Sequence, residues 1–146
     1  MPNFLEGKGK GVKYYRFVIY RYFSVLDLKS TKGVYEFFEP MFKYVDEQVE
    51  AGHSVMIHCL AGAHRAGTTG TAYVMHAAKI YDHKKAIKMC QMCRFIIDPI
   101  HGMKDLLRLL GKAMQERADR KTKGLPEKEE PSAFSRAVGS VVKAIQ

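Results

Sequence analysis

The sequence predicts a single α/β domain, a small central sheet flanked by helices, on three observations. An aromatic and β-branched run at 13–23, Lys-Tyr-Tyr-Arg-Phe-Val-Ile-Tyr-Arg-Tyr-Phe, has the composition of a strand at least as far as Tyr20. A shorter apolar run, Val55-Met56-Ile57, lies between Gly52 and a glycine-bearing loop; too short for a helix, it reads as a buried strand. Four further segments carry apolar residues at helical spacing.

Taken in order, a loop at 24–33 follows the first strand. Phe37, Phe38, Met41, Phe42, Val45 and Val49 then recur on one face of a helix over 34–51, which Gly52 stops. The Val-Met-Ile strand, within 54–58, runs into a loop at 59–65. The alanine-rich segment 66–81 suits a helix running tightly against a sheet. Asp82 is placed to cap a helix from Lys84 to about Phe95, and Asp98-Pro99 breaks the pattern. A last amphipathic helix over 102–117 carries Met103, Leu106, Leu107, Leu110 and Met114. Residues 1–117 thus form the expected folded domain, and 118–146, charged and proline-bearing, an expected flexible tail.

The chain has 146 residues, 47% of them hydrophobic, enough for one core but not two. Lys and Arg number 24 against 15 Asp and Glu, so the formal net charge is +9 and anions are attracted. The charge is spread along the chain, so it names no partner; no specific nucleic acid is expected. Cys59, Cys90 and Cys93 have no disulfide-framework spacing and the N-terminus lacks an apolar signal core, which points to a reducing compartment, cytoplasm or nucleus. No run reaches the ~20 apolar residues of a membrane span.

The chemistry concentrates at 58–65, His-Cys-Leu-Ala-Gly-Ala-His-Arg, where five residues separate Cys59 from Arg65 at a strand-to-helix turn. A crossing of that length curls so that successive backbone N–H groups of Leu60, Ala61, Gly62, Ala63 and His64 point inward, a nest for a dianion. The following helix adds the positive end of its dipole. The same field stabilises a thiolate at Cys59. Arg65 adds a planar fork of donors matched to two phosphoryl oxygens. Gly62 permits the backbone conformation and close approach that a Cβ obstructs.

With these residues in place, His58-Cys59-x-Ala61-Gly62-x-x-Arg65 resembles the signature of the protein tyrosine phosphatase superfamily, and its surroundings resemble the dual-specificity branch. Pro2-Asn3 before an aromatic strand, the Phe37-Phe38 helix ending near Gly52, and Arg94 with Asp98-Pro99 carry the likeness, which extends over roughly 2–115. The resemblance implies a phosphoprotein phosphatase that works through a phosphocysteine, with no metal or organic cofactor and a phosphorylated protein as substrate. It implies an upstream aspartic acid as proton donor, and Asp27, 32 residues before Cys59, is the candidate. Asp46 and Glu50 are alternatives on a helix face. The resemblance gives His58 a supporting role in the loop, and gives Arg94 either a second phosphate contact or a surface ion pair.

Two departures bear on activity. Members of the family usually carry Ser or Thr directly after the loop arginine, where this chain has Ala66; Thr68 or Thr69 either substitutes or simply caps and packs. The family domain also has more chain before Pro2-Asn3, so the N-terminal part is expected to be missing or shortened, leaving a sheet edge open to self-association. These departures keep a non-catalytic or weakly active phosphate-binding scaffold open as an alternative. Phosphoinositide or RNA 5′-phosphate hydrolysis is another; Leu60, Ala61 and Ala63 are neutral where those enzymes tend to place lysines. Cys90-Gln-Met-Cys93 reads as buried structural thiols within a helix, and Met75, Met89, Met92 and Met103 as core residues. His64 either faces solvent or adds charge to the pocket rim.

Overall fold

A computed structural model describes residues 11–19 and 31–124. Four helices make up the regular structure of these residues: α1 (Thr31–Glu50), α2 (Arg65–Ala78), α3 (His83–Cys93) and α4 (Gly102–Thr122). α4 packs against the other three, and α2 also packs on α3 and, more lightly, on α1. The core lies between them and is built from Val34, Phe38, Phe42, Met75, Leu106 and Leu107, all essentially inaccessible.

The periodic segments became helices at nearly their expected places. α1 begins three residues early and carries Pro40 in its interior. Pro40 is exposed, so the lost backbone donor faces solvent while Phe37, Phe38, Met41 and Phe42 bury the opposite side. α3 is capped as Asp82 promised, its carboxylate accepting from the N–H of Lys84 at 2.9 Å and of Lys85 at 3.4 Å. α2 ends on Lys79 in the left-handed region, whose N–H turns back to the helix carbonyls. α4 runs through Thr122, more than a turn past Arg117, with Arg120 and Lys121 near its negative dipole end.

The expected central sheet is not present among the described residues: neither 13–19 nor 54–58 forms a strand. Residues 20–23 of the first expected strand lie outside the described residues. The physical reason is that strand propensity describes a side chain's fit to a pleated surface, whereas a strand needs a hydrogen-bonded neighbour. The aromatics of 13–19 pack on α1: Tyr15 stacks on Tyr44 at 4.6 Å between ring centroids, and Phe17 lies 4.9 Å from Phe37 and 5.6 Å from Phe38. Residues 53–59 keep the alternation of a strand, with Val55 and Ile57 half-buried and Met56 and His58 exposed, but not its burial.

Candidate active site

Cys59 ends this irregular segment, and the five residues after it turn into α2, whose first residue is Arg65. Gly62 makes the turn possible. Its φ is +72°, in the left-handed region, and a Cβ there would lie 3.0 Å from Arg94 Nη2. Its N–H donates to Cys59 Sγ at 3.2 Å. Partial burial pushes the Cys59 thiol up, but the backbone N–H groups of Ala66, Gly62 and Ala61, together with the Arg65 guanidinium, more than offset it, so the thiol titrates below an ordinary cysteine.

The loop is held from behind by the connection between α3 and α4. Asp98 N–H donates to the Ala63 carbonyl at 3.2 Å, and His64 Nδ1 donates to the Asp98 carbonyl at 2.7 Å, a bond that makes Nδ1 the protonated donor towards that carbonyl. Gln91 Nε2 in turn donates to the Ile97 carbonyl at 2.8 Å, and the Ile97 side chain fills the space that a Cβ on Gly67 would need. Sequence reading missed this brace; its signal was the Asp98-Pro99 break, read as a helix end and as part of the family likeness but not as a support for the loop.

Cys59 opens on a cavity of about 460 Å³ whose wall includes His58, Leu60, Gly62, Ala66 and Arg94. That volume is within the range of small-ligand sites. The structure therefore brings together Cys59, the loop amides, Arg65 and Arg94. Arg65 is exposed and stands off the cavity wall, acting on the thiol by charge, whereas Arg94, the C-terminal cap of α3, lines it. His58 lies on the wall and is exposed. Asp27 lies outside the described residues.

Of the alternative carboxylates, Asp46 is engaged elsewhere: it accepts from Tyr73 Oη at 2.9 Å and pairs with His76 Nε2 at 3.1 Å, tying α1 to α2. Glu50 is exposed at the end of α1. The hydroxyls of Thr68 and Thr69 donate to the carbonyls of His64 and Arg65, four residues back in each case, and so pack as buried helix residues. Cys90 is buried but Cys93 is exposed; Met75 and Met103 are core residues, while Met89 and Met92 are not. No group of His, Cys, Asp and Glu among the described residues is arranged to hold a metal ion.

A loop that sets a cysteine thiol of lowered pKa beside an arginine at a helix N-terminus is an arrangement that can be compared with known families. The profile of the dual specificity phosphatase catalytic domain matches residues 10–112, and the chain belongs to that family. It is 31% identical over 85 residues to a protein of Dictyostelium discoideum named as a rhodanese domain-containing dual specificity protein phosphatase, covering 58% of this chain and 18% of that one. A protein of Acanthamoeba polyphaga mimivirus named as a tyrosine-protein phosphatase is 33% identical over 63 residues, covering 43% and 29%. One from Invertebrate iridescent virus 6, named as a tyrosine phosphatase, is 29% identical over 77 residues, covering 53% and 54%. The chain thus aligns with between about a fifth and a half of these relatives. No solved structure matches it significantly. No helix among the described residues is long and apolar enough to cross a membrane.

Proposed function

We propose that the chain is a cysteine-dependent phosphatase of phosphorylated proteins. The observation that carries this reading is the Cys59 thiol, held below the ordinary cysteine range by three backbone N–H groups and the Arg65 guanidinium at the wall of a cavity. Cys59 Sγ attacks phosphorus, an S–P bond forms as the P–O bond to the substrate breaks, and the loop amides with Arg65 carry the charge of the transferring group. Asp27 gives the leaving oxygen its proton and then takes one from the water that attacks phosphorus and releases Cys59. The guanidinium that lines the cavity, that of Arg94, adds to the attraction for a dianion.

A second reading, a phosphate binder that turns over slowly, is favoured by Ala66. No hydroxyl stands directly after Arg65, and those of Thr68 and Thr69 are occupied on helix carbonyls, so release of the cysteine sulfur lacks that assistance. One experiment addresses both. The purified chain is mixed with a small aryl phosphate at about pH 6 without metal, beside Cys59→Ser and Asp27→Asn. Steady turnover, abolished by the first change and cut about 10²–10⁴-fold by the second, supports the phosphatase. A stoichiometric burst with a long-lived phosphocysteine supports the slow binder, and no reaction from a folded chain overturns the phosphatase and leaves a non-catalytic phosphate binder.

A further inference from the structure

One peptide plane joins the Cys59 loop to α3. The Ile97 carbonyl accepts from Gln91 Nε2 at 2.8 Å, and the Asp98 N–H of the same peptide donates to the Ala63 carbonyl at 3.2 Å. This peptide is trans, hence flat, with its C=O and N–H pointing in opposite directions, so Gln91 and Ala63 hold opposite edges of one rigid unit. Tilting the plane away from one partner tilts it away from the other. Acceptance at the carbonyl also polarises the N–H, so the two bonds strengthen each other.

The flanking residues set where this plane sits. On one side the Ile97 N–H closes a turn on the Arg94 carbonyl at 3.1 Å; on the other, buried Pro99 confines Asp98 to extended backbone. Neither fixes its tilt, a rotation about Ile97 ψ and Asp98 φ, and the bond from Gln91 does. The loop hangs on this connection by two consecutive residues, because His64 Nδ1 donates to the Asp98 carbonyl at 2.7 Å. Ala63 and His64 stand between Gly62, whose N–H donates to Cys59 Sγ, and Arg65. Ile97 itself lines the cavity and packs so closely on α2 that a Cβ on Gly67 would lie 3.0 Å from its Cγ2. Gln91 is half-buried, its amide committed to a carbonyl six residues on rather than to solvent.

We propose that Gln91 is a positioning residue for the Cys59 loop: through the Ile97–Asp98 peptide it holds Ala63, and with it the neighbouring amides, in the arrangement that receives a phosphoryl group. Its consequence for turnover rests on the phosphatase reading of Cys59. Gln91 is not part of the cavity wall, so it acts through the loop and not on the phosphate.

Gln91→Met tests this, because methionine keeps the side chain's length and helix propensity and removes the donor. The readouts are thermal unfolding and the pH midpoint of iodoacetamide alkylation at Cys59, followed by peptide mass spectrometry. As the plane tilts, donors leave the sulfur, so the midpoint is expected to rise by about 0.5–1 pH unit. Where the chain hydrolyses a small aryl phosphate, kcat/KM is expected to fall about tenfold. Tyr73→Phe, which removes the bond from α2 to Asp46, is the control for lost stability; it lowers Tm and leaves the midpoint in place. A Gln91→Met protein that unfolds at lower temperature but keeps the original midpoint overturns the proposal, since Gln91 then only stabilises the connection. An equal rise in both variants overturns it too. A rise confined to Gln91→Met supports it even where the unaltered chain hydrolyses no aryl phosphate, a result that counts against the phosphatase reading of Cys59 alone.

Discussion

At the scale of single residues, Gly62 is where backbone geometry and thiol chemistry meet. Its left-handed φ presents the N–H to Cys59 Sγ, and its missing side chain leaves room for the Arg94 guanidinium. Gly62→Ala is expected to lower stability by about 1–2 kcal/mol, because an L-residue is strained at that φ and Arg94 has to shift. As the loop relaxes, a donor leaves the sulfur and the thiol pKa rises, so the midpoint of iodoacetamide alkylation at Cys59, followed by peptide mass spectrometry, moves to higher pH. The linkage has a definite sign: a depressed folded pKa stabilises fully above the unfolded thiol's pKa and loses that contribution as pH falls. The variant's deficit therefore grows as pH rises toward the unfolded thiol's pKa of about 8.5, and an unchanged alkylation midpoint sinks the account. Cys59, Arg65 and Gly62 were legible in the sequence because the motif is local and each residue type has one chemical use. The environment of His64 was not, since its partner is a backbone carbonyl 34 positions away.

At the scale of elements, the helices were legible and the strands were not. Phe37, Phe38, Met41, Phe42 and Val45 write α1 into the sequence by their spacing alone, and Asp82 writes the start of α3. Nothing equally local decides whether 13–19 or 54–58 finds a ladder partner, because pairing depends on a second segment elsewhere. The small residue Gly111 shows the same limit for packing. It lies buried within α4, and helix propensity alone says that Gly111→Ala should stabilise by about 1 kcal/mol. A Cβ at that position would run into the Tyr81 carbonyl and lie 3.2 Å from Met75 Cε. α4 then has to back away from the connection between α2 and α3, so urea denaturation is expected to show a net loss on the order of 1–3 kcal/mol. A gain in stability would mean that α4 does not approach Tyr81 this closely.

For the whole molecule, a formal charge of +9 favours any anion at the surface, so affinity for phosphate by itself says little about the Cys59 loop. What distinguishes the loop is that its donors belong to the fold: the N–H of Gly62 reaches Sγ only while Gly62 holds its turn, and Ala63 is held by Asp98 from the far side of α3. On the proposed reading, an oxyanion held by this loop binds the folded chain and not the unfolded one, so it raises global stability by mass action. At a concentration 100 times its dissociation constant the gain is about 2.7 kcal/mol, or on the order of 10 °C in Tm. Tungstate, a tetrahedral dianion, is therefore expected to raise the Tm of the unaltered chain in a saturable way, and to do so much less in Arg65→Ala, which keeps most of the surface charge. Potassium chloride at equal ionic strength controls for screening, since exposed charges respond to both salts alike. If tungstate raises the Tm of both proteins equally, the stabilisation belongs to the basic surface at large and the Cys59 loop has no special claim on the anion.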